Sequence, residues 1–181
     1  MRRVLAASDR ALLVEEDDLE GAMRLQAALA AAALPGVEEL IPAARTVLVR
    51  FDPGVVADAG LRRRIAELAP APDAAAGAGS VVIPVHYGGE DLAEVARLLG
   101  LTEDEVVARH SAATWRVAFT GFAPGFGYLV GDDPVFDVPR RPTARTRIPA
   151  GSVALAGTFS GVYPRESPGG WQLIGRTDAV M

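Results

Sequence analysis

The sequence predicts an α+β protein in two parts, a small α+β unit followed by a domain of short strands. The chain has 181 residues, half of them hydrophobic, which is enough for one large or two small domains with a buried core. Between Gly121 and Gly175 it carries 10 of its 19 glycines and 7 of its 13 prolines, interleaved with aromatic and β-branched residues. That mixture favours short strands joined by tight turns.

The first part is predicted to alternate strands and helices. The Asp17–Asp18 pair is placed to cap a helix that runs to about Ala33, and Asp58–Leu68 is predicted to form a second helix. The resulting order of strand, helix, strand, strand, helix and strand is typical of the split βαβ, ferredoxin-like pattern, which we assign to residues 1–87. The segment 70–79 is predicted to be a loop within this unit. The extended runs are Val4–Ala7, Ala11–Glu15, Val37–Ile41, Thr46–Phe51 and Ser80–Val85.

The second part, residues 88–181, is predicted to begin with two helices and to continue with strands. Thr102 and Glu105 have the spacing of a capping box. The second helix begins at Glu103 with three acidic residues that phosphate would repel, so a DNA-reading helix-turn-helix is disfavoured. Many short strands with Gly and Pro turns are typical of a sandwich or closed barrel. The helices are expected at Asp91–Leu99 and Glu103–His110, and the clearest strands at Thr114–Thr120, Tyr128–Val130, Arg145–Ile148, Ser152–Ala156 and Trp171–Ile174.

The composition excludes several classes of chemistry. Cysteine is absent, which removes disulfides, thiolate nucleophiles and cysteine-based metal sites. All 18 basic residues are arginine, so the chain has neither a P-loop lysine nor a Schiff-base lysine. His86 and His110 are the only histidines, and we expect neither a metal nor a nicotinamide site in this chain. His110 is a possible acid or base, although a structural role is the commoner one for a lone histidine.

The charge is unevenly distributed along the chain. Residues 136–181 hold six arginines against three acids, whereas the first 135 residues hold 12 arginines against 20 acids, and the net charge is −5. An acidic body with a basic patch does not suit nucleic acid, but it fits a small anion or an acidic partner surface. No apolar run approaches the ~20 residues that span a bilayer, and a signal-peptide core is missing. A cytoplasmic location without membrane contact is therefore expected.

The C-terminal part carries the strongest candidates for ligand binding. Arg145 and Arg147 lie two residues apart on a predicted strand and therefore point to one face, just after Arg140 and Arg141. A guanidinium fork binds carboxylate or phosphate through two hydrogen bonds, but a solvated, charge-protected edge strand explains the same pattern. The run Ser167-Pro-Gly-Gly-Trp171 offers backbone N–H groups beside an aromatic wall. A glycine-rich hairpin next to a core tryptophan is the alternative for that run.

Three ordered motifs resemble the KipI family, whose members include the PxpB component of 5-oxoprolinase and allophanate hydrolase subunit 1. They are GFAPGFGYL (121–129), PRRPTARTRIPAGSVALAG (139–157) and YPRESPGGWQLIGRT (163–177), and the likeness extends upstream through residues 81–112. The resemblance implies a ferredoxin-like N-terminal domain followed by a cyclophilin-like β-barrel. Members of the family continue beyond the last motif to a final barrel strand, so we expect this chain to be truncated at its C-terminus.

The resemblance also implies a function that requires other subunits. Family members act with a KipA-like subunit (PxpC, or allophanate hydrolase subunit 2) and a LamB/YcsF-like subunit (PxpA) in the ATP-dependent conversion of 5-oxoproline to glutamate. Related paired domains in urea-amidolyase-type enzymes transfer a carboxyl group to urea. ATP is expected to be bound by the complex rather than necessarily by this chain. The alternative is a KipI-type inhibitor of a sensor histidine kinase.

The residues expected to bind a small anionic amide lie within the three motifs. The arginines are expected to hold carboxylate or phosphoryl groups, and the glycines to supply backbone donors. No side chain is a convincing nucleophile, so the catalytic group is expected on a partner. Phe159 stands where members commonly carry glutamine, which removes an amide from that position. The expected set is Arg145, Arg147, Ser152, Tyr163, Ser167, Gly169, Gly170, Trp171 and Arg176.

Overall fold

Two units make up the chain in a computed structural model that describes residues 2–71 and 79–181. The first unit is Met1–Gly79 and the second is Ser80–Met181. The border that the sequence predicted after residue 87 therefore falls inside the second unit. The segment 70–79, predicted as an internal loop, ends where the units divide, and most of it lies outside the described residues. Within the described part, no helix has the length and apolar character that a membrane crossing requires.

The first unit is a four-stranded antiparallel sheet with two helices. Alternate residues of the two central strands are buried, Leu12 and Val14 on one and Val47 and Val49 on the other, and they pack against Leu25 and other apolar residues of the helices. Burial of each such side chain stabilises the unit by about 1.5–3 kcal/mol. The elements are β1 (Arg3–Ser8), β2 (Ala11–Glu15), α1 (Leu19–Ala32), β3 (Val37–Pro42), β4 (Thr46–Phe51) and α2 (Asp58–Glu67), with the sheet order β1-β2-β4-β3.

Local capping sets the bounds of α1, as the sequence predicted. The Asp18 carboxylate accepts a hydrogen bond of 2.8 Å from the Gly21 N–H and so satisfies a donor that the helix leaves free. At the other end, Ala33 has a left-handed backbone with a φ of 41°, which stops the helix just before Pro35 and Gly36. The helix therefore begins and ends within about one residue of the prediction.

The strand predicted at Ser80–Val85 is wrong. These residues form no strand, and Val81 and Val82 are 81% and 89% exposed. Both sides of β2 are already occupied by β1 and β4, so the first sheet has no place beside β2 for a later strand. The two extended runs at the N-terminus pair with each other because a hairpin closes a very short loop at little entropic cost. The predicted order of strands and helices is therefore wrong at both ends. Two strands precede the first helix where one was predicted, and among the described residues the first sheet has no strand after its second helix.

The second unit combines two helices with a six-stranded antiparallel sheet and a separate two-stranded ladder. The edge strands of the six-stranded sheet are His86–Tyr87 and Trp115–Thr120. No pairing among residues 79–181 joins these two strands, so the described sheet is open rather than closed. The elements are β5 (His86–Tyr87), α3 (Leu92–Leu99), α4 (Glu103–Ala112), β6 (Trp115–Thr120), β7 (Gly127–Gly131), β8 (Arg145–Ile148), β9 (Ser152–Ala156), β10 (Phe159–Val162), β11 (Ser167–Gly169) and β12 (Gln172–Arg176); the sheet order is β5-β12-β9-β10-β7-β6, and β11 pairs with β8.

Most local predictions for this unit are confirmed, and three strands were missed, the two-residue β5 and the strands β10 and β11. The capping box at α4 forms, because the Thr102 hydroxyl accepts from the Glu105 N–H while the Glu105 carboxylate accepts from the Thr102 N–H. The bounds of β8 and β9 are those predicted. The strands β10 and β11 were not predicted because Gly161 and Pro168 within them resemble turn residues. Pairing with neighbouring strands, rather than local propensity, makes these segments extended.

Strand β9 is buried on both faces and separates two apolar clusters. Val153 and Leu155 point to one side and pack with residues of α3 and α4 such as Val95. Ala154 and Ala156 point to the other side, where the rings of Phe126, Tyr163 and Trp171 pack. Side chains alternate along a strand, so one strand supplies both layers. The face turned away from the helices is therefore lined with aromatic residues.

We expect Gly89→Ala to destabilise the second unit by about 1–3 kcal/mol, because overpacking forces the backbone to move. A Cβ at Gly89 would lie 2.4 Å from the Leu173 carbonyl oxygen and 2.6 Å from the Gly175 nitrogen. The matched control is Gly60→Ala in α2, where a Cβ meets nothing within 4 Å and alanine favours the helix by about 0.5–1 kcal/mol. Denaturant unfolding measures both, and equal stability of the two variants contradicts the prediction.

Candidate functional site

An aromatic pocket lies on the face of the second unit's sheet that the helices leave uncovered. Its cavity has a volume of about 80 Å³. The rings meet edge to face, with the Phe126 centroid 5.3 Å from both Tyr163 and Trp171. This arrangement of aromatic rings is the favourable one and leaves a rigid wall. The lining residues, which we call the aromatic pocket, are Phe122, Phe126, Tyr128, Arg140, Tyr163, Pro168, Gly169, Gly170 and Trp171.

A tight turn presents the rim of the aromatic pocket. The Phe126 N–H donates to the Ala123 carbonyl, the Gly121 N–H donates to the Phe126 carbonyl, and Gly125 has a φ of 84°. Phe122 has a φ of 65°, a left-handed conformation that is unfavourable for a bulky side chain, and its ring is 57% exposed. The turn therefore holds an apolar ring at the mouth of the pocket in a conformation that the surrounding hydrogen bonds impose.

Tyr163 and Gly169 lie against each other at the floor of the pocket. A Cβ at Gly169 would come within 2.5 Å of the Tyr163 hydroxyl, so only glycine leaves room for it. Burial raises the pKa of Tyr163 to about 12, although the positive charge of Arg140 acts in the opposite direction. At neutral pH the phenol therefore keeps its proton and can donate a hydrogen bond.

Arg140 supplies the positive charge of the aromatic pocket. Its guanidinium is exposed, and no carboxylate of the described residues lies within salt-bridge distance of it. The residues on both sides of it are fixed, because the Pro139 carbonyl accepts a bond of 3.2 Å from Gln172 and the Arg141 N–H donates one of 2.8 Å to the Gly170 carbonyl. The pocket thus offers aromatic rings, a neutral hydroxyl donor and a cation available to a negatively charged group.

A buried carboxylate, that of Asp91, binds two arginines that follow Arg140 in the chain. Asp91 is 3% exposed and accepts hydrogen bonds from Arg141, from two nitrogens of Arg145 at 2.8 and 2.9 Å, and from the Leu173 N–H at 2.7 Å. Burial by itself would raise the pKa of Asp91, but the hydrogen bonds from Arg145 and Leu173 and the charges of both arginines outweigh it. The pKa therefore lies below its ordinary value.

Four of the nine predicted binding residues are brought together in the aromatic pocket, namely Tyr163, Gly169, Gly170 and Trp171. The predicted arginines lie elsewhere and have carboxylate partners. Arg145 binds Asp91 and Glu90, Arg147 donates to Glu166 at 2.5 Å with 75% of its side chain exposed, and Arg176 lies 3.5 Å from Asp178. The two serines donate to the backbone, Ser152 to the Pro149 carbonyl and Ser167 to the Arg165 carbonyl.

His110 lies in the interior, outside the lining of the aromatic pocket. Its Nδ1 is 2.9 Å from the Tyr87 hydroxyl and its Nε2 is 3.1 Å from the Ser160 hydroxyl. Burial lowers its pKa from 6.5 to about 4, so the ring is neutral at physiological pH. The contacts of this histidine are those of a structural residue, with both ring nitrogens occupied.

Sequence reasoning missed Arg140 and Asp91 as parts of a site. Arg140 was only one of four clustered arginines, and nothing in their spacing distinguishes it from the others. Asp91 stands at the start of a helix and resembles an N-cap, yet its side chain makes no capping bond. The aromatic lining was easier to predict from the sequence, because Phe122, Phe126 and Tyr128 all lie within one motif.

We expect the stability of the protein to fall as the pH decreases from about 6.5 to 4, because the unfolded state protonates His110 before the folded state does. The loss due to this residue is at most about 3 kcal/mol. His110→Gln, which cannot take up a proton, should show a flatter dependence of unfolding free energy on pH over this interval. Identical slopes for the variant and the parent protein would exclude His110 as the cause.

Comparison with known proteins shows relatives along almost the whole chain. The model of the carboxyltransferase domain, subdomain C and D, matches residues 2–181. The PxpB component of the Bacillus subtilis 5-oxoprolinase is 39% identical over 164 residues, which are 81% of this chain and 68% of that protein. The crystal structure of TTHA0988 has a TM-score of 0.74 and 36% identity over 94% of this chain, but only 35% of its own length is covered.

A more distant structure shows the same fold within a larger protein. The urea amidolyase of K. lactis has a TM-score of 0.73 at 20% identity, over 97% of this chain and 13% of that chain. Identity at this level supports a shared fold alone. The family match over residues 2–181 and the identity to the Bacillus subtilis protein confirm the family that the three motifs predicted. The chain belongs to the carboxyltransferase subdomain C and D family and, within it, to the relatives of the PxpB component of 5-oxoprolinase.

Proposed function

We propose that this chain is the PxpB-type component of an ATP-dependent amidohydrolase that opens 5-oxoproline to glutamate. The observation that carries the proposal is the aromatic pocket, in which Arg140 and Tyr163 line one cavity together with the rings of Phe126 and Trp171. Membership of the family that includes the PxpB component of 5-oxoprolinase supports it.

The chemistry of the pocket suits a small lactam acid. 5-Oxoproline is a nearly flat five-membered ring with an amide and one carboxylate. The Arg140 guanidinium would bind the carboxylate through two parallel hydrogen bonds. The protonated Tyr163 hydroxyl would donate to the amide oxygen, while Trp171 and Phe126 would pack on the ring. This arrangement orients the amide carbonyl toward Tyr163 at the floor of the pocket.

The size of the pocket favours a nucleotide site elsewhere in the complex. Its volume of about 80 Å³ is far below the roughly 300–1,000 Å³ of sites that enclose larger ligands. In the proposed complex, ATP binds outside this pocket, on a partner subunit or between subunits.

The lining residues of the pocket are five aromatic side chains, one arginine, one proline and two glycines, so among the described residues the pocket lacks a serine, threonine, cysteine, lysine, histidine or carboxylate nucleophile. Ring opening breaks the lactam C–N bond, and water supplies the hydroxyl to the carbonyl carbon and the proton to the nitrogen. This chain therefore binds and orients the substrate in the proposed enzyme. The groups that activate the water and the amide come from a KipA-like subunit and a LamB/YcsF-like subunit.

We expect Arg140→Gln to raise the KM for 5-oxoproline at least about tenfold, because a hydrogen bond to a charged group contributes about 1.5–3 kcal/mol. The matched control is Arg147→Gln, an exposed arginine paired with Glu166 outside the pocket, whose KM should stay within about twofold. The measurement is ATP-dependent glutamate release by the three co-expressed subunits. A loss at Arg147 with normal kinetics at Arg140 would place the substrate on the anion surface that the sequence predicted.

The assay must also show dependence on all three subunits. Turnover that disappears when any one is omitted supports the proposed enzyme. A stable complex without turnover points to another amide, such as allophanate or urea. Failure to form a complex favours the inhibitor of a sensor histidine kinase.

A further inference from the structure

We propose that Asp91 is a positioning residue. Its buried carboxylate fixes the chain segments that carry Arg140, Gly169 and Trp171, and it thereby places Arg140 against the substrate. The inference rests on the proposed function, because it concerns recognition of the same small carboxylate. It adds a residue that lines no part of the pocket.

The carboxylate of Asp91 does not cap the helix that begins beside it. It stands at the N-cap of α3, where aspartate ordinarily accepts a bond from the helix backbone, but it makes no such bond. Its two oxygens instead accept from Arg141, Arg145 and the Leu173 N–H. Four donor atoms fill the acceptor sites of the carboxylate, so its orientation is fully determined.

Each of these partners lies close to a residue of the pocket, either in the chain or across a pair of strands. Arg141 follows Arg140 in the chain, and Arg145 is paired across the β8–β11 ladder with Gly169. Leu173 lies two residues after Trp171 on the same stretch of chain. One carboxylate thus connects the segment that carries the cation with the segments that carry the glycine and the indole.

Charge explains why this connection is rigid. Two guanidiniums converge on one carboxylate that is almost completely buried, and Arg145 is itself only 16% exposed. A buried charge is stable only while its partners stay in place, so the three segments cannot separate without leaving charges unpaired. Arg140 is the exception in this cluster of arginines: Arg141 and Arg145 bind Asp91 and Arg147 binds Glu166, whereas Arg140 has no carboxylate partner among the described residues.

Asp91→Asn tests the proposal, because the amide keeps the size of the side chain but loses the charge that both arginines require. In the three-subunit assay we expect the KM for 5-oxoproline to rise at least about tenfold, with the KM for ATP and kcat changing less than about threefold, since misplacement affects binding of the carboxylate. The matched control is Glu90→Gln, an exposed carboxylate that binds Arg145 alone, for which the KM should remain within about twofold. A folded Asp91→Asn protein with an unchanged KM, or with only kcat reduced, overturns the proposal.

A second measurement separates this inference from the proposed function. In a Trp115→Phe background, Trp171 is the single tryptophan, and its acrylamide quenching reports the pocket wall without any substrate. We expect Asp91→Asn to increase this quenching and Glu90→Gln to leave it unchanged; equal quenching in both overturns the inference. Absence of turnover in the parent complex contradicts the proposed function instead. The quenching measurement does not depend on turnover, so it still tests the role of Asp91 in that case.

If Asp91→Asn fails to fold, Arg141→Gln provides the same test with a milder change. Its side chain is about one-third exposed, and Asp91 keeps its bonds to Arg145 and Leu173. The expected result is again a raised KM for 5-oxoproline with little change in kcat. A normal KM and normal Trp171 quenching in this variant overturn the proposal.

Discussion

The compensation of one buried negative charge organises the second unit. Asp91 lies in the interior, where an unpaired carboxylate would be strongly destabilising. Two segments distant in sequence, one with Arg141 and Arg145 and one with Leu173, converge on it and satisfy its oxygens. This requirement brings the start of α3, the arginine-rich segment and the first residues of β12 to one point. Two residues of the aromatic pocket, Arg140 and Trp171, lie within two positions of these partners in the chain, and Gly169 pairs with Arg145.

The layered packing around β9 determines on which side that pocket opens. One face of the strand is covered by α3 and α4, and the other face carries small alanines that leave space for large rings. Phe126, Tyr163 and Trp171 occupy this space edge to face, so their positions depend on each other. A ligand site of this kind is pre-formed, because the rings that would contact the ligand are also part of the core.

Much of the secondary structure could be predicted because its signals are local. The cap at Asp18, the capping box of Thr102 and Glu105, and the bounds of β8 and β9 all depend on residues within a few positions of each other. Prediction failed where pairing between distant strands decides the outcome. Residues 80–85 have the composition of a strand but find no partner, whereas β10 contains a glycine and is still held between β9 and β7.

The candidate site shows the same division more sharply. The sequence by itself determined the family, through motifs that span most of the chain. It also predicted Tyr163, Gly169, Gly170 and Trp171 as binding residues, and these four lie together in the aromatic pocket. Only the tertiary structure decided which arginine faces the pocket. Adjacent arginines are chemically equivalent in a sequence, but the partner of each depends on a carboxylate some 50 positions away. Asp91 binds Arg141 and Arg145, and its four acceptor sites are filled by these arginines and the Leu173 N–H. Among residues 2–71 and 79–181, no carboxylate pairs with Arg140.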